Sequence, residues 1–215
     1  MTLSEDFMNQ LKKLDRFIGI YTYIVFLLAL WYTTWTLSGM SVDGSLLTGV
    51  TNQWYFTNQS NTLVVITVAL FWARFDNKKW FKYLASITLV NIVITSTGYH
   101  FILAPDVVSF MSHLSHTIVP IAYVIWYFVS VRSVVPLKLF WINIIYPMTY
   151  LGLVLILRTF PLGTYPYGFL NVDELGLANV LQFTLTIMFP AYTVLALVFT
   201  YLKHVLEKKV FVKNE

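Results

Sequence analysis

The sequence predicts an all-α fold: a polytopic membrane protein with six transmembrane helices in a single domain, 1–215. Hydrophobic residues make up 58% of the chain and charged residues only 11%, whereas soluble proteins carry about 25% charged residues. The apolar residues also fall in runs that match the roughly 20 residues needed to cross a bilayer as a helix. Finally, nearly all basic residues flank the same ends of these runs, as expected for a chain that crosses a membrane repeatedly.

The six apolar runs are predicted to be helical because every backbone N–H and C=O group within lipid must be paired inside the segment. The first run follows the basic residues Lys12, Lys13 and Arg16, but it is too long for the core of a signal peptide and no Ala-x-Ala site follows it. It is therefore expected to stay as the first helix. The predicted spans are 17–38, 55–73, 81–104, 110–131, 136–158 and 175–203.

The distribution of Lys and Arg predicts that both termini face the cytoplasm. Of the 14 basic residues, only Arg158 lies on the side opposite the N-terminus. The positive-inside rule places the side with the excess of Lys and Arg in the cytoplasm. The residues on that side are Lys12, Lys13, Arg16, Arg74, Lys78, Lys79, Lys82, Arg132, Lys138, Lys203, Lys208, Lys209 and Lys213.

Composition also excludes several functions. The net charge of +4 is accounted for by membrane orientation, so no nucleic-acid partner is expected; membrane lipids are the expected surroundings. The chain contains no cysteine, which rules out disulfides and thiolate chemistry.

The longest outer loops, 39–54 and 159–174, are too short to fold as separate domains. The second is rich in Pro, Gly and Tyr, and is either a lid or an ordinary interfacial loop.

Polar side chains are concentrated at the outer ends of the predicted spans. Because polar groups in membrane spans are energetically costly, such a cluster indicates a functional site. Thr57, Ser60 and Asn61 share one helical face by their i, i+3, i+4 spacing, and His113 and His116 are similarly spaced on span four. These residues predict a polar pocket that opens toward the outer leaflet. The candidate residues are Thr57, Asn58, Ser60, Asn61, His100, His113, His116 and Arg158.

A hydroxyl beside an imidazole is the minimum for nucleophilic acyl transfer, which Thr57 and His116 would supply. Asn58, Asn61 or Arg158 would then stabilise the oxyanion, and Arg158 also suits a substrate carboxylate because a guanidinium binds one through two hydrogen bonds. No metal or other cofactor is required by this chemistry. Three alternatives remain open: hydrogen bonding between helices, a metal site formed by the three histidines, and a non-catalytic carrier of lipids or solutes.

Three short blocks resemble the androgen-induced gene protein family, which also contains the androgen-dependent TFPI-regulating protein, and specifically its bacterial six-helix members. The first is the Tyr-Phe-Thr-Asn-Gln-Ser-Asn segment at 55–61, the second is His-x-x-His-x-x-x-Pro at 113–120, and the third is the Tyr-Pro loop at 165–170. The similarity extends over roughly 17–200, although only these blocks are specific.

This resemblance implies a hydrolase of the bacterial plasma membrane. Animal members of the family hydrolyse fatty acid esters of hydroxy fatty acids with a membrane-embedded Thr nucleophile and a His. The shared motifs place these roles on Thr57 and His116. Because polar residues follow Thr57 where the animal proteins are mostly apolar or acidic, the expectation is a lipid-like ester substrate rather than that particular ester.

Overall fold

A computed structural model describes residues 3–40, 42–103 and 108–211. Within those ranges the secondary structure is entirely helical, with no strand, which confirms the all-α prediction. Residue 104, the last of the predicted third span, and Lys213, one of the basic residues used for orientation, lie outside the described part of the chain.

Eight helices are labelled here in chain order, three of which contain a π-helical turn. Two short helices were not predicted: α2, which lies between the first and second predicted spans, and α7, immediately before the last long helix. The helices are α1 (Leu3–Leu37), α2 (Leu46–Asn52), α3 (Phe56–Trp72), α4 (Phe81–Leu103), α5 (Phe110–His113, Leu114–Ile118 and Val119–Ser130), α6 (Ile142–Leu157), α7 (Val172–Leu175) and α8 (Leu177–Phe183, Thr184–Met188 and Phe189–Phe211).

Four helical segments among the described residues are long and apolar enough to cross a membrane: Lys12–Leu37, Phe81–Leu103, Leu137–Leu157 and Leu177–Glu207. They coincide with predicted spans one, three, five and six. The other two predicted spans also form helices. However, α3 has only 17 residues, about 25 Å of helix, and α5 is less apolar because of the polar residues near its start.

Helix α4 occupies the centre of the bundle. It packs against α3, α5, α6 and α8, and 56% of its most apolar window is buried, more than in any of the other three candidate spans. One hydrophobic cluster joins α1, α3, α4 and α5, and a second joins α4 to α6, α8 and the loop before α7. The two clusters meet at α4, which therefore connects both halves of the bundle.

The outer surface of the bundle carries large apolar side chains in stripes. On α1, the exposed residues Phe17, Ile20, Ile24, Leu27 and Trp31 follow helical spacing along one face. Helix α8 carries a second exposed series from Leu185 to Leu206. Soluble monomers rarely expose continuous apolar patches of this kind, so these faces are suited to contact with lipid.

Two of the three π-helical turns are associated with proline. The π turns at Leu114–Ile118 and Thr184–Met188 are each followed by a proline two residues later, Pro120 and Pro190. A proline ring clashes with the carbonyl four residues earlier, which is the middle residue of each π turn. The wider turn relieves this clash, whereas Pro147 lies inside the α-helical part of α6. The third π turn, Tyr99–Leu103, ends α4.

Candidate active site

Thr57 lies in the first turn of α3 and is largely buried. The residue before the helix, Tyr55, provides no side-chain cap. The Thr57 N–H group therefore has no partner within the helix, as is usual in a first turn, and it donates a hydrogen bond to the hydroxyl of Tyr167 over 3.3 Å. The Thr57 hydroxyl also lies near Tyr167, where the start of α3 meets the loop before α7.

His116 lies in the π turn of α5, and its Nε2 is 3.2 Å from Oγ1 of Thr57. Its Nδ1 lies 2.9 Å from the backbone carbonyl oxygen of Ser112 and 2.9 Å from the hydroxyl of Ser115. A carbonyl oxygen only accepts hydrogen bonds, so Nδ1 carries the proton. The Ser115 hydroxyl can accept a hydrogen bond from this N–H group while it donates one to the backbone carbonyl of Met111. This assigns the tautomer: the Nε2 lone pair faces the Thr57 hydroxyl.

The ring of Tyr99 holds the plane of the imidazole. The two rings stack with centroids 3.9 Å apart and an interplanar angle of 15°. Tyr99 is the first residue of the π turn that ends α4, so the central helix supports the face of the histidine ring. His116 is thereby held by a backbone carbonyl along its edge and by an aromatic ring on its face.

The loop before α7 reaches Thr57 through Tyr167. In addition to the bond from the Thr57 N–H group, the Tyr167 hydroxyl lies 3.4 Å from Oγ1 of Thr57. The ring stacks on Phe169 at 5.3 Å, and Leu170, in the following 3₁₀ turn, is buried in the second cluster. Burial raises the pKa of Tyr167 above its ordinary value of 10.0, so the hydroxyl remains a proton donor at neutral pH.

Two asparagines of the predicted set connect this region to neighbouring helices. Asn61 donates to the carbonyl of Thr57 over 2.9 Å and to that of Ser115 over 3.3 Å, so it joins α3 to α5 directly beneath the pair. Asn58 accepts from Tyr32 on α1 and donates to the carbonyl of Asn52 on α2. Both hold the geometry of the site, and neither side chain bonds to Thr57 Oγ1 or His116 Nε2.

Among the described residues, the other four predicted residues form no hydrogen bond to Thr57 or His116. Ser60 donates to the carbonyl of Phe56 within its own helix. His100 is exposed and bonds to Thr117 at 3.0 Å, and His113 is exposed at the start of α5. Arg158 ends α6 with a φ of 57°, and it lines neither cavity at the site.

Two cavities meet at Thr57 and His116. The smaller, called the slot, has a volume of about 50 Å³ and is lined mainly by apolar and aromatic residues of α3, α4, α6, α8 and the loop before α7. The larger, called the vestibule, has a volume of about 480 Å³. Thr57, Tyr99, Leu103, His116 and Tyr167 line both. The slot is further lined by Phe56, Ile94, Thr95, Gly98, Ile102, Pro147, Tyr150, Leu151, Phe169, Leu170, Met188 and Tyr192; the vestibule by Tyr32, Thr36, Val42, Asn52, Tyr55, Asn58, Pro166 and Gly168.

The arrangement supplies the groups needed for nucleophilic acyl transfer. The Thr57 hydroxyl faces the lone pair of the His116 imidazole at a distance over which that imidazole could act as a general base. The backbone N–H group of Thr57 and the phenol of Tyr167 lie beside the hydroxyl. Sequence reasoning did not include Tyr167 and Tyr99 among the site residues, although the Tyr-Pro block contained the first. Within the described residues, no three His, Cys, Asp or Glu side chains lie close enough together to hold a metal ion.

Comparisons with known proteins add no relative: no family model matches the chain, and neither a curated protein nor a solved structure is significantly similar to it.

Proposed function

We propose that this protein is a multi-pass membrane hydrolase that cleaves lipid-like esters, with Thr57 as the nucleophile and His116 as the general base. The observation that carries this proposal is the 3.2 Å contact between Thr57 Oγ1 and His116 Nε2, with Nδ1 bonded to the Ser112 carbonyl. In serine hydrolases a carboxylate plays the part that this carbonyl would play, which is to orient the ring and select its tautomer.

The proposed membrane arrangement has six spans, with both termini in the cytoplasm. The distribution of 13 basic residues against one supports the orientation. At about 25 Å, α3 approaches the hydrocarbon thickness of roughly 30 Å, and α5 places its polar residues near the outer end. In this arrangement Thr57, His116 and Tyr167 lie toward the outer leaflet of a bacterial plasma membrane.

In the acylation step, His116 Nε2 takes the proton of the Thr57 hydroxyl while Oγ1 attacks the ester carbonyl carbon. The developing oxyanion is stabilised by the Thr57 N–H and the Tyr167 O–H, which lie together at the end of α3. As the bond from the carbonyl carbon to the leaving oxygen breaks, His116 returns the proton to that oxygen and the alcohol departs.

In the deacylation step, a water molecule attacks the acyl-threonine carbonyl and gives a proton to His116 Nε2. The bond between the acyl carbon and Thr57 Oγ1 then breaks, and the proton passes to Oγ1. The products are a carboxylic acid and the regenerated threonine. The resemblance of the blocks at 55–61, 113–120 and 165–170 to the androgen-induced gene protein family supports the same reaction class.

The test is covalent labelling of the purified protein with an alkyl fluorophosphonate, together with hydrolysis of fluorogenic fatty acid esters. Wild-type protein should label at Thr57, and both labelling and turnover should disappear in Thr57→Ala and His116→Ala. Thr62→Ala, which makes the same change on the same helix, and His204→Ala on α8 are matched controls that should retain both.

Labelling or turnover that persists in Thr57→Ala would overturn the assignment of the nucleophile. Folded wild-type protein that binds lipid but neither labels nor hydrolyses any ester in the panel would overturn the hydrolase proposal in favour of a non-catalytic carrier. Folding of every variant is checked by its elution volume and its thermal unfolding in detergent.

A further inference from the structure

The two cavities that meet at Thr57 and His116 differ in volume and polarity. The slot has a volume of about 50 Å³ between mainly apolar and aromatic side chains, whereas the vestibule of about 480 Å³ includes polar groups from Tyr32, Asn52 and Asn58. An ester bound at Thr57 would extend its acyl part into one cavity and its alcohol part into the other. The order of the reaction decides which part belongs where.

The acyl group stays on Thr57 between the two steps, while the alcohol must leave and be replaced by water. Water therefore has to arrive beside His116 from the direction in which the alcohol departed. A polar vestibule admits water, whereas an apolar slot filled by a hydrocarbon chain excludes it. The retained acyl chain accordingly fits the slot, and the departing alcohol fits the vestibule.

We infer that the slot is the subsite for the acyl chain of the ester and that Gly98 of α4 determines how long a chain it accepts. This inference rests on the hydrolase function proposed above. It assigns the selectivity of the enzyme to the acyl side of the substrate and leaves the alcohol side permissive.

Three slot-lining residues of α4 form a row, called the ledge, along the proposed path of the acyl chain. Ile94, Gly98 and Ile102 all line the slot and follow i, i+4, i+8 spacing, which corresponds to about 12 Å of helix. Ile102 and Leu103 are exposed at the outer end of α4, so this rim provides a lateral entrance from lipid. Ile94 is buried and lies at the deep end.

Gly98 lies midway along the ledge, one residue before the tyrosine that stacks on His116. A Cβ atom built at Gly98 would meet no other atom within 4 Å, so the absent side chain leaves open space beside the chain path. The Cβ atom of a leucine at this position has room, and the rest of its side chain would extend into the slot that Gly98 lines. The deep part of the slot would then be closed to hydrocarbon.

The experiment compares two series of esters in wild type, Gly98→Leu and Gly152→Leu. Gly152 of α6 also has open space around its Cβ position but does not line the slot, so it is the matched control. The acyl series contains butanoate, octanoate and hexadecanoate esters of one fluorogenic alcohol. The alcohol series contains ethyl, octyl and hexadecyl butanoates, followed by the acid released.

Gly98→Leu should lower kcat/KM for octanoate relative to butanoate by at least tenfold, because exclusion of only two methylenes from apolar surroundings corresponds to about that factor. The ratio across the alcohol series should change by less than twofold, and Gly152→Leu should leave both ratios unchanged. Labelling by short-chain and long-chain fluorophosphonates should show the same shift.

An unchanged acyl ratio in folded Gly98→Leu, or a shift in the alcohol series instead, would overturn the inference while Thr57-dependent turnover continued. If wild-type protein shows no Thr57-dependent labelling or turnover, the proposed function fails and the inference fails with it. The Thr57→Ala variant, measured in the same assays, separates these two cases.

Discussion

Removing the Tyr167 hydroxyl is the most informative change, because its effect on the folded resting state should differ from its effect on catalysis. The hydroxyl makes only weak contacts in the resting state, whereas its proposed role is to stabilise the transition state. Tyr167→Phe deletes only the oxygen and retains the ring that stacks on Phe169. The two lost contacts, to the Thr57 N–H and Oγ1, measure 3.3 and 3.4 Å. Contacts of this length are at the weak end of hydrogen bonding, so the folded state should lose less than about 1 kcal/mol.

The expected loss is much larger in the transition state. One donor to a developing oxyanion is worth about 2.7–4 kcal/mol, or 10²–10³ in kcat. Tyr167→Phe should therefore lower kcat for ester hydrolysis by about 10²–10³ with little change in thermal unfolding. The rate of fluorophosphonate labelling at Thr57 should fall in parallel, because phosphonylation places a similar charge on the phosphoryl oxygen.

Tyr165→Phe, the same change two residues earlier in the same loop, is the control and should remain near wild type. Equal or faster turnover in Tyr167→Phe would refute the reasoning. It would mean that the hydroxyl occupies the position of the substrate carbonyl and has to be displaced, so that the loop restrains the site instead of completing it.

Three further predictions concern the surroundings of the site. Asn61→Leu should lower stability by about 1–3 kcal/mol in thermal unfolding and slow Thr57 labelling, because two buried backbone carbonyls lose their shared donor. Lys203→Met should destabilise by about 2–3 kcal/mol, because Glu207, 15% exposed, loses its 2.6 Å partner; adding Glu207→Leu should recover most of the loss. Because the pKa of Tyr167 is raised above 10.0, turnover should fall at a pH above 10 as this hydroxyl ionises. The pH–rate profile of Tyr167→Phe should lack this fall at high pH.

The helical segments were predictable because lipid leaves the backbone few options. Apolar runs long enough to cross a bilayer must pair their own N–H and C=O groups, so each predicted run corresponds to a helix. The two terminal helices extend further than predicted, because α1 begins at Leu3 and α8 ends at Phe211. The helix Leu46–Asn52 was missed because it is held by its surroundings. Ser45 caps its start, and glycines at 39 and 49 allow it to pack closely against the end of α1.

The candidate site was predictable only where α-helical spacing held. The spacing placed Thr57 and Asn61 on one face, and both do bond toward α5. The same rule grouped His113 with His116, but the π turn at Leu114–Ile118 changes the rotation per residue and separates them. Tyr167 reaches Thr57 across 110 positions of the chain, through loop packing that no local pattern encodes.

The π turn of α5 has a consequence for how related chains would be recognised. It lies between the start of the helix and Pro120 and has a different rotation per residue from an α-helix. The direction in which the His116 side chain points therefore depends on the number of residues in that stretch. Deleting one residue between His116 and Pro120 would turn His116 by about 100° relative to the rest of the helix. The span would keep nearly the same hydropathy and composition, while the imidazole would point away from the threonine. Two chains with matching hydropathy plots can thus differ in whether this pair exists at all, and the phase of one helical turn distinguishes them.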